Sequence, residues 1–421
     1  MERVVIVGAG FAGLRAARAL RDTPVDVTII DRHNYQTFQP LLYQVATAGL
    51  NVADVAFPVR GVLRRYRNCR FLSGEVTSVD HSAGLVGLSD GGAVAFDVLI
   101  VAAGARAAYF GVPGAEEHSF ALYALTDAVR LRNHVLRCFE AADADPQLAA
   151  AGALTFVVVG GGPTGVEMAG ALVEVIEGVL RKDFPRTDAR AARVVLVEMR
   201  DVVLPPFGPR SQKHALKALR QRGVEILFGE KVAEVTPTVL RLVSGAEIAT
   251  RTVIWAAGVQ SSSLADVLGA EQTQGGRVVV DADLSLPGHP NVFVVGDMAA
   301  AAAPDGSLYP QLAQVAIQAG EHVAQQAIRR LRGRDGEPFI YKDKGIMATI
   351  GRRSAVTELP SGIHLAGTIG WLSWLFLHLL YLVGFRNRLS VLLNWAWSYV
   401  ARERGPRLIL EIANDAERRK L

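Results

Sequence analysis

The feature that most constrains the fold of this chain is a strand, glycine turn and helix unit that occurs twice. Residues 4–7 are apolar and lead into Gly8-Ala9-Gly10-Phe11-Ala12-Gly13, which precedes an Ala/Leu/Arg helix to Leu20. Residues 155–159 lead in the same way into Gly160-Gly161-Gly162-Pro163-Thr164-Gly165 and a helix to about Leu180. Each GxGxxG run thus stands between a predicted buried strand and a predicted helix. This context is typical of a dinucleotide-binding turn.

An acid closes the next predicted strand in both units. Asp31 follows residues 25–30, and Glu198 follows residues 194–197. In a dinucleotide site the glycines let the backbone approach the pyrophosphate, and the acid hydrogen-bonds a ribose hydroxyl. Two such sites imply two different dinucleotides, as in an electron relay. Glu198 favours NADH over NADPH because a carboxylate repels a 2′-phosphate, although Arg200 weakens that preference.

Three further β-branched runs, at residues 98–101, 253–255 and 292–295, also end in small residues. The pattern predicts an α/β fold with two Rossmann-like dinucleotide-binding domains, the second inserted in the first, plus a C-terminal membrane-binding helical module. The expected boundaries are 1–115 and 288–335 for the outer domain, 116–287 for the inserted domain and 336–421 for the C-terminal module. Gly296-Asp297, after the third run, fits the role of holding a flavin's sugar-alcohol chain or phosphate.

Composition excludes several classes of protein. The net charge of the 421 residues is +4, and the part from Arg386 onward, with eight basic and four acidic residues, accounts for all of it. A nucleic-acid binder should instead carry a broad basic stripe. Cys69 and Cys138 form no CxxC pattern, which argues against a disulfide framework, a cysteine-ligated zinc and a dithiol redox pair. The histidines show no ligand spacing, and no metal site is expected.

One segment differs from the rest, because residues 359–385 contain no Lys, Arg, Asp or Glu. Five rings within it fall at helical spacing and predict an aromatic stripe on a helix over 369–385: Trp371, Trp374, His378, Tyr381 and Phe385. A second helix is predicted over 389–401, with Arg386 and Arg388 before it and Arg402 and Arg404 after it. Aromatic rings alternating with arginines indicate a helix pair in the headgroup region of a bilayer. A single span and a buried dimer interface are the alternatives.

Longer motifs support a specific resemblance. They are FQPLLYQVA at residues 38–46, VVGGGPTGVE at 158–167, VVGDM at 294–298, AQVAIQ at 313–318, and the tail at 371–394. With these motifs the chain resembles, essentially end to end, the type II NADH dehydrogenases. They are single-subunit NADH:quinone oxidoreductases of the two-dinucleotide-binding-domain flavoproteins.

This resemblance implies non-covalent FAD at the first glycine turn and NADH as substrate at the second. Hydride would pass from NADH to FAD, and two electrons would then pass to a membrane quinone in the respiratory chain, without proton pumping. The implied cofactor-binding residues are Gly8, Ala9, Gly10, Phe11, Ala12, Gly13, Asp31, Arg32, Gln39, Val76, Ala103, Gly104, Gly160, Gly161, Gly162, Pro163, Thr164, Gly165, Glu198, Ala257, Gly258, Gly296, Asp297 and Gln314. The implied partners are quinone, a bilayer surface and a second copy of the chain. The implied location is peripheral, on the cytoplasmic face of the cell membrane.

Glu167, Gln314 and Gln318 are the candidate catalytic residues. The resemblance places Glu167 near nicotinamide and flavin, where it would handle a proton; the alternative is that it merely complements the helix dipole. Gln314 and Gln318 lie at i and i+4 on an apolar helix face, which suits hydrogen bonds to a flavin edge and a quinone carbonyl. The alternative is that both are solvated surface residues. Gln39 and Gln44 either line the flavin ring or simply belong to a loop.

Two rival functions remain to be separated. A sulfide:quinone oxidoreductase shares the architecture but needs a pair of redox cysteines, for which Cys69 and Cys138 lack the motif context. A flavoprotein redox sensor or scaffold would bind nucleotides without turnover. Reduction of the flavin by NADH and its reoxidation by quinone would distinguish the enzyme from the sensor.

Overall fold

The chain forms two compact units in a computed structural model that describes residues 1–185, 187, 191–401 and 407–410. The first unit comprises Met1–Thr37, Phe57–Ala108 and Val259–Lys344, and the second comprises Phe38–Ala56, Tyr109–Gly258 and Gly345–Leu421. Each unit is built on a mostly parallel sheet flanked by helices. The predicted α/β class with two Rossmann-like domains is therefore confirmed. The assignment of the predicted boundaries to cofactors stays a prediction.

The first unit is organised around a six-stranded sheet. Its strand order is Ser285–Leu286, His289–Val294, Val98–Val101, Glu2–Val7, Val25–Asp31 and Cys69–Ser73, and only Ser285–Leu286 runs antiparallel to its neighbour. The central strands Glu2–Val7, Val25–Asp31 and Val98–Val101 are rich in buried Val and Ile, as is typical of parallel strands in a covered sheet. The helices Phe11–Leu20 and Ala313–Leu331 pack against each other so closely that a β-carbon at Gly320 would lie 2.2 Å from the carbonyl oxygen of Ala12.

Smaller elements complete the first unit. An antiparallel sheet contains Val76–Asp80, Leu85–Leu88 and Ala93–Ala95. Ala105–Ala107 pairs with Val259–Ser261, and Val278–Val279 pairs with Ala299–Ala300. Short elements occur at Tyr35–Thr37, Val59–Leu63, Leu264–Val267 and Gly296–Met298, and a further strand, Ala56–Pro58, spans the boundary between the two units.

The second unit contains a five-stranded parallel sheet. Its strand order is Ser119–Ala121, Thr252–Trp255, Thr155–Val159, Arg193–Glu198 and Glu225–Phe228. The main helices of this unit are Leu125–Ala144, Pro163–Val175 with its π-helical extension Ile176–Leu180, and Pro209–Gln221. The predicted strands at 98–101 and 155–159 are confirmed at both ends. The other predicted strands are confirmed to within a few residues.

Further elements of the second unit surround this sheet. Val232–Val235, Val239–Leu242 and Glu247–Ala249 form one antiparallel sheet, and Ile346–Gly351, Ser354–Glu358 and His364–Ala366 form another. Short helical segments are Gln39–Leu41, Leu42–Ala46, Val52–Val55, Ala115–His118, Pro146–Leu148, Ala149–Ala153 and Arg181–Asp183.

The last two helices are Gly367–Tyr381 and Phe385–Ala401, so the predicted ranges 369–385 and 389–401 were wrong at their inner ends. The first helix stops early because Leu382 is extended and Gly384 has a φ of +84°. The apolar stretch is thereby divided between two helices. In the part of the chain that the structure describes, no helix has both the length and the apolar character needed to cross a membrane. Arg402 and Arg404 lie outside the described residues.

The aromatic stripe of the first of these helices points inward. Trp371 and Trp374 are buried, whereas Leu372 between them and Phe376 beyond them are exposed. Together the two helices present an exposed surface that we name the apolar face: Ile369, Leu372, Phe376, Leu380, Leu389, Leu392, Leu393 and Trp397. Trp371 and Trp374 therefore pack within the protein, and aliphatic side chains make up most of the apolar face.

The inner side of the last helix carries hydrogen-bonding polar groups. The hydroxyl of Ser390 and the amide of Asn394 donate to the buried carboxylate of Asp54 at 2.6 and 2.9 Å. The Asn387 amide donates to the carbonyl oxygens of Ala53 and Ala56 at 3.2 and 3.3 Å. The helix thus buries several polar groups beside Val391 and Trp395 and exposes apolar side chains, unlike a typical surface helix of a water-soluble domain.

Candidate active site

The first glycine turn brings a strand, a helix and an acid together. Gly8 has a φ of +103°, and a β-carbon there would lie 2.3 Å from the carbonyl oxygen of Ala102. A β-carbon at Gly13 would lie 1.8 Å from the Gly8 oxygen, so helix and strand approach as only glycine permits. At Gly10, by contrast, a β-carbon would have no heavy atom within 4 Å. The N-terminus of the helix Phe11–Leu20 therefore has open space before it for a diphosphate.

The second glycine turn has the same geometry. Gly160 has a φ of +106°, and a β-carbon there would lie 2.5 Å from the Ala256 oxygen. A β-carbon at Gly165 would lie 1.8 Å from the Gly160 oxygen, and the equivalent position at Gly162 is open. Pro163 occupies the first turn of the helix, where its missing N–H has no cost. The two predicted turns are thus alike in structure as well as in sequence.

The two acids make matching hydrogen bonds. Asp31 accepts the backbone N–H groups of Ala9 and His33 at 2.7 and 2.8 Å. Glu198 accepts those of Gly161 and Arg200 at 2.5 and 2.8 Å. In each case the donors are the second residue of the glycine turn and the residue two positions after the acid. Because a carboxylate has about four acceptor positions, each acid can also accept a ribose hydroxyl.

Other predicted cofactor residues lie at or near strand ends. Ala103 and Gly104 follow Val98–Val101, and Asp297 lies in the turn Gly296–Met298, where its carbonyl oxygen accepts the Gln311 amide at 2.9 Å. Ala257 and Gly258 are exposed after Thr252–Trp255. Arg32 forms a surface ion pair with Glu75 at 3.7 Å, Val76 begins a strand, and Gln39 begins the short helix Gln39–Leu41.

A cleft of about 500 Å³, open to solvent, surrounds Glu167 in the second unit. Glu167 belongs to the helix that follows the second glycine turn. That helix packs closely against the strand Ile346–Gly351. Gly170 permits this approach, since a β-carbon there would lie only 2.1 Å from the carbonyl oxygen of Ile350. The cleft is lined by Tyr43, Gln44, Gly49, Glu167, Ala171, Glu174, Thr349, Gly351, Arg352, Trp371, Trp374 and Trp395.

The carboxyl of Glu167 sits in an environment that favours its neutral form. Burial raises the pKa of Glu167 to about 8. The Thr349 backbone N–H donates to Glu167 Oε1 at 3.2 Å, and the Trp374 indole N–H lies nearby without a well-formed hydrogen bond. These groups favour the ionised form but offset only part of the burial effect. A carboxyl with a pKa near neutrality, facing a cleft, is suited to accept and release a proton.

His378 lies beside this cleft and carries no charge at neutral pH. Burial lowers the pKa of His378 to about 4. Its Nδ1 donates to the carbonyl oxygen of Trp374 at 2.8 Å, and the two rings stack with centroids 4.0 Å apart. His378 therefore supports the tryptophan wall of the cleft.

Gln314 and Gln318 have different surroundings although they share a helix face. The side-chain oxygen of Gln314 is buried and has no hydrogen-bond partner among the described residues. The Gln318 amide both donates to the carbonyl oxygen of Lys342 at 2.9 Å and accepts the Lys342 N–H at 3.0 Å. Gln314 thus has an acceptor available for a ligand, whereas Gln318 holds a neighbouring segment.

Several cleft residues were not identified as functional from the sequence. Tyr43 stands in the quoted motif at residues 38–46, and Trp374 and Trp395 stand in the tail, but their sequence positions did not relate them to Glu167. Thr349 carries no sequence signal, because it acts through its backbone N–H. Gln44, expected at the flavin ring or in a loop, lines the cleft.

The two cysteines are not suited to redox chemistry. Burial raises the pKa of the Cys69 thiol to about 12 and that of the Cys138 thiol to about 11. Both therefore remain protonated at neutral pH, and the thiolate is the reactive form. A sulfide:quinone oxidoreductase or a disulfide reductase needs reactive cysteines, and these two protonated thiols do not meet that requirement.

Comparison with known proteins assigns the family. Residues 2–320 match the family described as pyridine nucleotide-disulphide oxidoreductase, and residues 344–402 match the NDH2 C-terminal domain. The type II NADH:quinone oxidoreductase Ndh of Mycobacterium tuberculosis is 41% identical over 420 residues, covering 96% of this chain and 89% of the relative. The internal alternative NAD(P)H-ubiquinone oxidoreductase A1 of Arabidopsis thaliana is 31% identical, covering 94% and 84%.

Solved structures share the fold. NDH2 of Plasmodium falciparum, solved in complex with NADH, matches with a TM-score of 0.88 at 19% identity, covering 97% of this chain and 99% of that chain. The sulfide:quinone oxidoreductase of Aquifex aeolicus matches with a TM-score of 0.71 at 18% identity, covering 96% of each. The sequence relatives decide between these two. The chain belongs to the type II NADH:quinone oxidoreductases, within the pyridine nucleotide-disulphide oxidoreductase family.

Proposed function

We propose that this protein is a non-proton-pumping NADH:quinone oxidoreductase that uses non-covalent FAD to take a hydride from NADH and to pass two electrons to a membrane quinone in the respiratory chain. The observation that carries the proposal is the duplicated glycine turn with its hydrogen-bonded acid, accompanied by a cleft around a carboxyl of raised pKa. When bound, the flavin supplies the two-electron redox chemistry.

The residues of the first glycine turn are suited to FAD. The open position at Gly10 leaves room for the diphosphate, and Asp31 has acceptor capacity left for the ribose. The buried, unpartnered oxygen of Gln314 is suited to accept an N–H from the flavin edge. On this basis we assign residues 1–115 and 288–335 to FAD binding.

The residues of the second glycine turn are suited to NADH. Glu198 offers an acceptor to a free 2′-hydroxyl and would repel a 2′-phosphate. We assign residues 116–287 to NADH binding on this basis. The proposal makes NADH a much better substrate than NADPH.

The cleft around Glu167 is the proposed site of proton supply to the quinone. Tryptophan side chains give it apolar walls, and Glu167 offers a proton that is held at neutral pH. We also retain Gln314 and Gln318 as candidate catalytic residues. The Gln318 amide N–H donates to the carbonyl oxygen of Lys342. To bind a quinone carbonyl instead, this N–H would have to give up that hydrogen bond.

The apolar face is the proposed site of membrane attachment. Eight exposed apolar side chains on two adjacent helices form a surface that water solvates poorly. We propose monotopic attachment on the cytoplasmic face of the cell membrane through residues 336–421, with contact between two copies in the same module.

An anaerobic titration tests the proposed function. NADH should bleach the flavin of the purified yellow protein, and a soluble quinone should restore the colour. NADPH should bleach it far more slowly. Acid should release FAD, one per chain, into solution. Release of FMN would contradict the cofactor assignment. Bleaching without reoxidation by quinone would favour a nucleotide-binding redox sensor instead.

A further inference from the structure

A turn in the second unit contains a residue that does not suit its backbone. The N–H of Val112 donates to the carbonyl oxygen of Tyr109 at 3.0 Å, which closes a tight turn. Its two central residues, Phe110 and Gly111, have φ values of +53° and +70°. Turns with two successive positive φ angles favour Asn-Gly or Gly-Gly, because a bulky side chain is sterically disfavoured in the left-handed region. Asparagine or glycine at position 110 would therefore suit this turn better than phenylalanine.

The ring of Phe110 is not explained by packing either. Phe110 is 70% exposed, so folding removes little of its apolar surface from water. A bulky residue held in strained backbone and left exposed stabilises neither the turn nor a core. Such positions concentrate at sites that contact a ligand.

The ring lies over the exposed end of a strand. A β-carbon at Gly258 would be 3.2 Å from Phe110 Cζ, so the ring covers this glycine closely. Gly258 has a φ of +149° and follows the strand Thr252–Trp255. The preceding residue of the turn, Tyr109, packs on Trp255 of that strand with ring centroids 5.7 Å apart. These contacts hold the turn at the carboxyl end of the strand.

The strand order makes this strand end part of a ligand crevice. Arg193–Glu198 and Glu225–Phe228 lie on one side of Thr155–Val159, and Thr252–Trp255 and Ser119–Ala121 lie on the other. The order thus reverses between Thr155–Val159 and Thr252–Trp255. In open parallel sheets, ligands bind outside the carboxyl ends of the strands at this switch point. Phe110 borders that crevice.

The positions of the acid and the glycine turn decide which half of the dinucleotide would reach Phe110. Glu198 closes the strand on one side of Thr155–Val159 and would hold the adenosine ribose. The glycine turn that follows Thr155–Val159 would hold the diphosphate. Gly258 closes the strand on the opposite side. The half of the dinucleotide beyond the diphosphate, the nicotinamide and its ribose, would therefore extend towards Gly258 and Phe110.

We infer that Phe110 is a binding residue for NADH whose side chain contacts the nicotinamide group itself, in the half of the molecule that reaches the Gly258 strand end. The ring buries apolar surface only when this half is in place, which explains its exposure in the free protein. The inference rests on the proposed function, since it requires the second glycine turn to bind NADH. It adds a specific contact that discriminates dinucleotides from their adenosine halves.

Titration calorimetry on the flavin-loaded, full-length protein tests this inference with two ligands. NAD⁺ contains the nicotinamide, and ADP-ribose lacks it but keeps the adenosine, the diphosphate and a ribose. Phe110→Ala should weaken NAD⁺ binding roughly tenfold, the scale of one lost aromatic contact. The affinity for ADP-ribose should stay within about twofold of the wild-type value, because this ligand lacks the nicotinamide that the ring contacts.

Control variants separate the contact from an effect on folding. Phe110→Tyr should bind NAD⁺ like the wild type. Phe110→Gly should raise the melting temperature by relieving backbone strain and should still weaken NAD⁺ binding. Val243→Ala removes another exposed apolar side chain of this unit, 66% exposed, and should change neither affinity.

The outcomes distinguish this inference from the proposed function. Unchanged NAD⁺ affinity in Phe110→Ala, or an equal loss for both ligands, would overturn the contact with nicotinamide while leaving NADH as the substrate. If the wild type bound neither ligand, the proposed function and the inference would both be wrong.

Discussion

Trp395 donates its indole N–H to the side-chain oxygen of Gln44 across 2.8 Å. Because an indole can only donate, the Gln44 amide has one orientation, and its nitrogen donates to the Tyr43 hydroxyl at 2.8 Å. All three residues line the cleft around Glu167. The last helix, whose outer side belongs to the apolar face, therefore sets the position of polar groups inside the cleft.

Replacing Trp395 by phenylalanine tests this coupling. Trp395→Phe keeps a ring but removes the donor, so Gln44 should lose its fixed orientation. We expect the KM for quinone to rise several-fold while NADH reduces the flavin at the wild-type rate. Stopped-flow reduction and steady-state quinone kinetics measure the two quantities. Trp397→Phe is the matched control, since Trp397 is 65% exposed on the same helix. Equal slowing of both half-reactions by Trp395→Phe would contradict a local effect in the cleft.

The raised pKa of Glu167 predicts how stability depends on pH. The pKa is about 8 in the folded protein against an ordinary value of 4.5, so between these values the folded state binds a proton that the unfolded state releases. The free energy of unfolding should therefore fall as pH rises through this window. Glu167→Gln cannot titrate and should show a shallower decline, measured by thermal unfolding at a series of pH values. Parallel pH profiles for the two proteins would refute the assignment.

The same carboxyl should affect turnover with quinone. If neutral Glu167 supplies the proton, quinone reduction should decline as the pH is raised past about 8, where Glu167 ionises. Flavin reduction by NADH should lack this decline. Glu167→Gln should slow quinone reduction at every pH and remove the decline from its profile.

The apolar face should determine membrane binding. Leu372 and Phe376 are 54% and 69% exposed, and Leu372→Ser with Phe376→Ser should reduce sedimentation with anionic vesicles, since much of the affinity comes from apolar burial. NADH should still bleach the flavin of this variant. Leu308→Ser with Ile340→Ser changes two exposed apolar residues of the first unit and should leave vesicle binding unchanged. Release of the wild type from vesicles by high salt alone would argue that charge dominates instead.

Glu198 should combine two roles. Its two oxygens accept the N–H groups of Gly161 and Arg200, and an amide has only one oxygen. Glu198→Gln should therefore lower stability by about 1–3 kcal/mol. It should also narrow the preference for NADH over NADPH, because a negative charge is lost. Initial rates with both nucleotides measure the preference. Glu225→Gln, on the neighbouring strand at the surface, should alter neither property.

The glycine turns and their acids followed from the sequence because their signal is local. A buried strand, a GxGxxG run and an amphipathic helix lie within about 20 consecutive residues, and backbone approach depends on residues that lack a side chain. The strand Thr155–Val159 and the positions of Asp31 and Glu198 at the ends of their strands were predicted correctly for this reason. The division into two dinucleotide-binding domains followed from the repetition of this unit.

In the C-terminal module, local sequence patterns did not suffice to predict which side chains are buried or where the first helix ends. The spacing of Trp371 and Trp374 placed them on one stripe, but periodicity alone does not tell whether a stripe faces lipid or protein. The structure buries these rings because Tyr43 and Trp395 pack around Trp374. Likewise, the break at Gly384 depends on a backbone conformation that an apolar sequence does not reveal.

The sequence by itself determined the α/β class, the two glycine turns and the acids that follow them, since short-range sterics and hydrogen bonding dictate these features. Only the tertiary structure decided the environment of Glu167, the bond of Gln318 to Lys342 and the position of Phe110 over Gly258. Each of these depends on residues far apart in the chain. Burial, and with it the pKa of a carboxyl or the exposure of a ring, is set by which distant segments pack together.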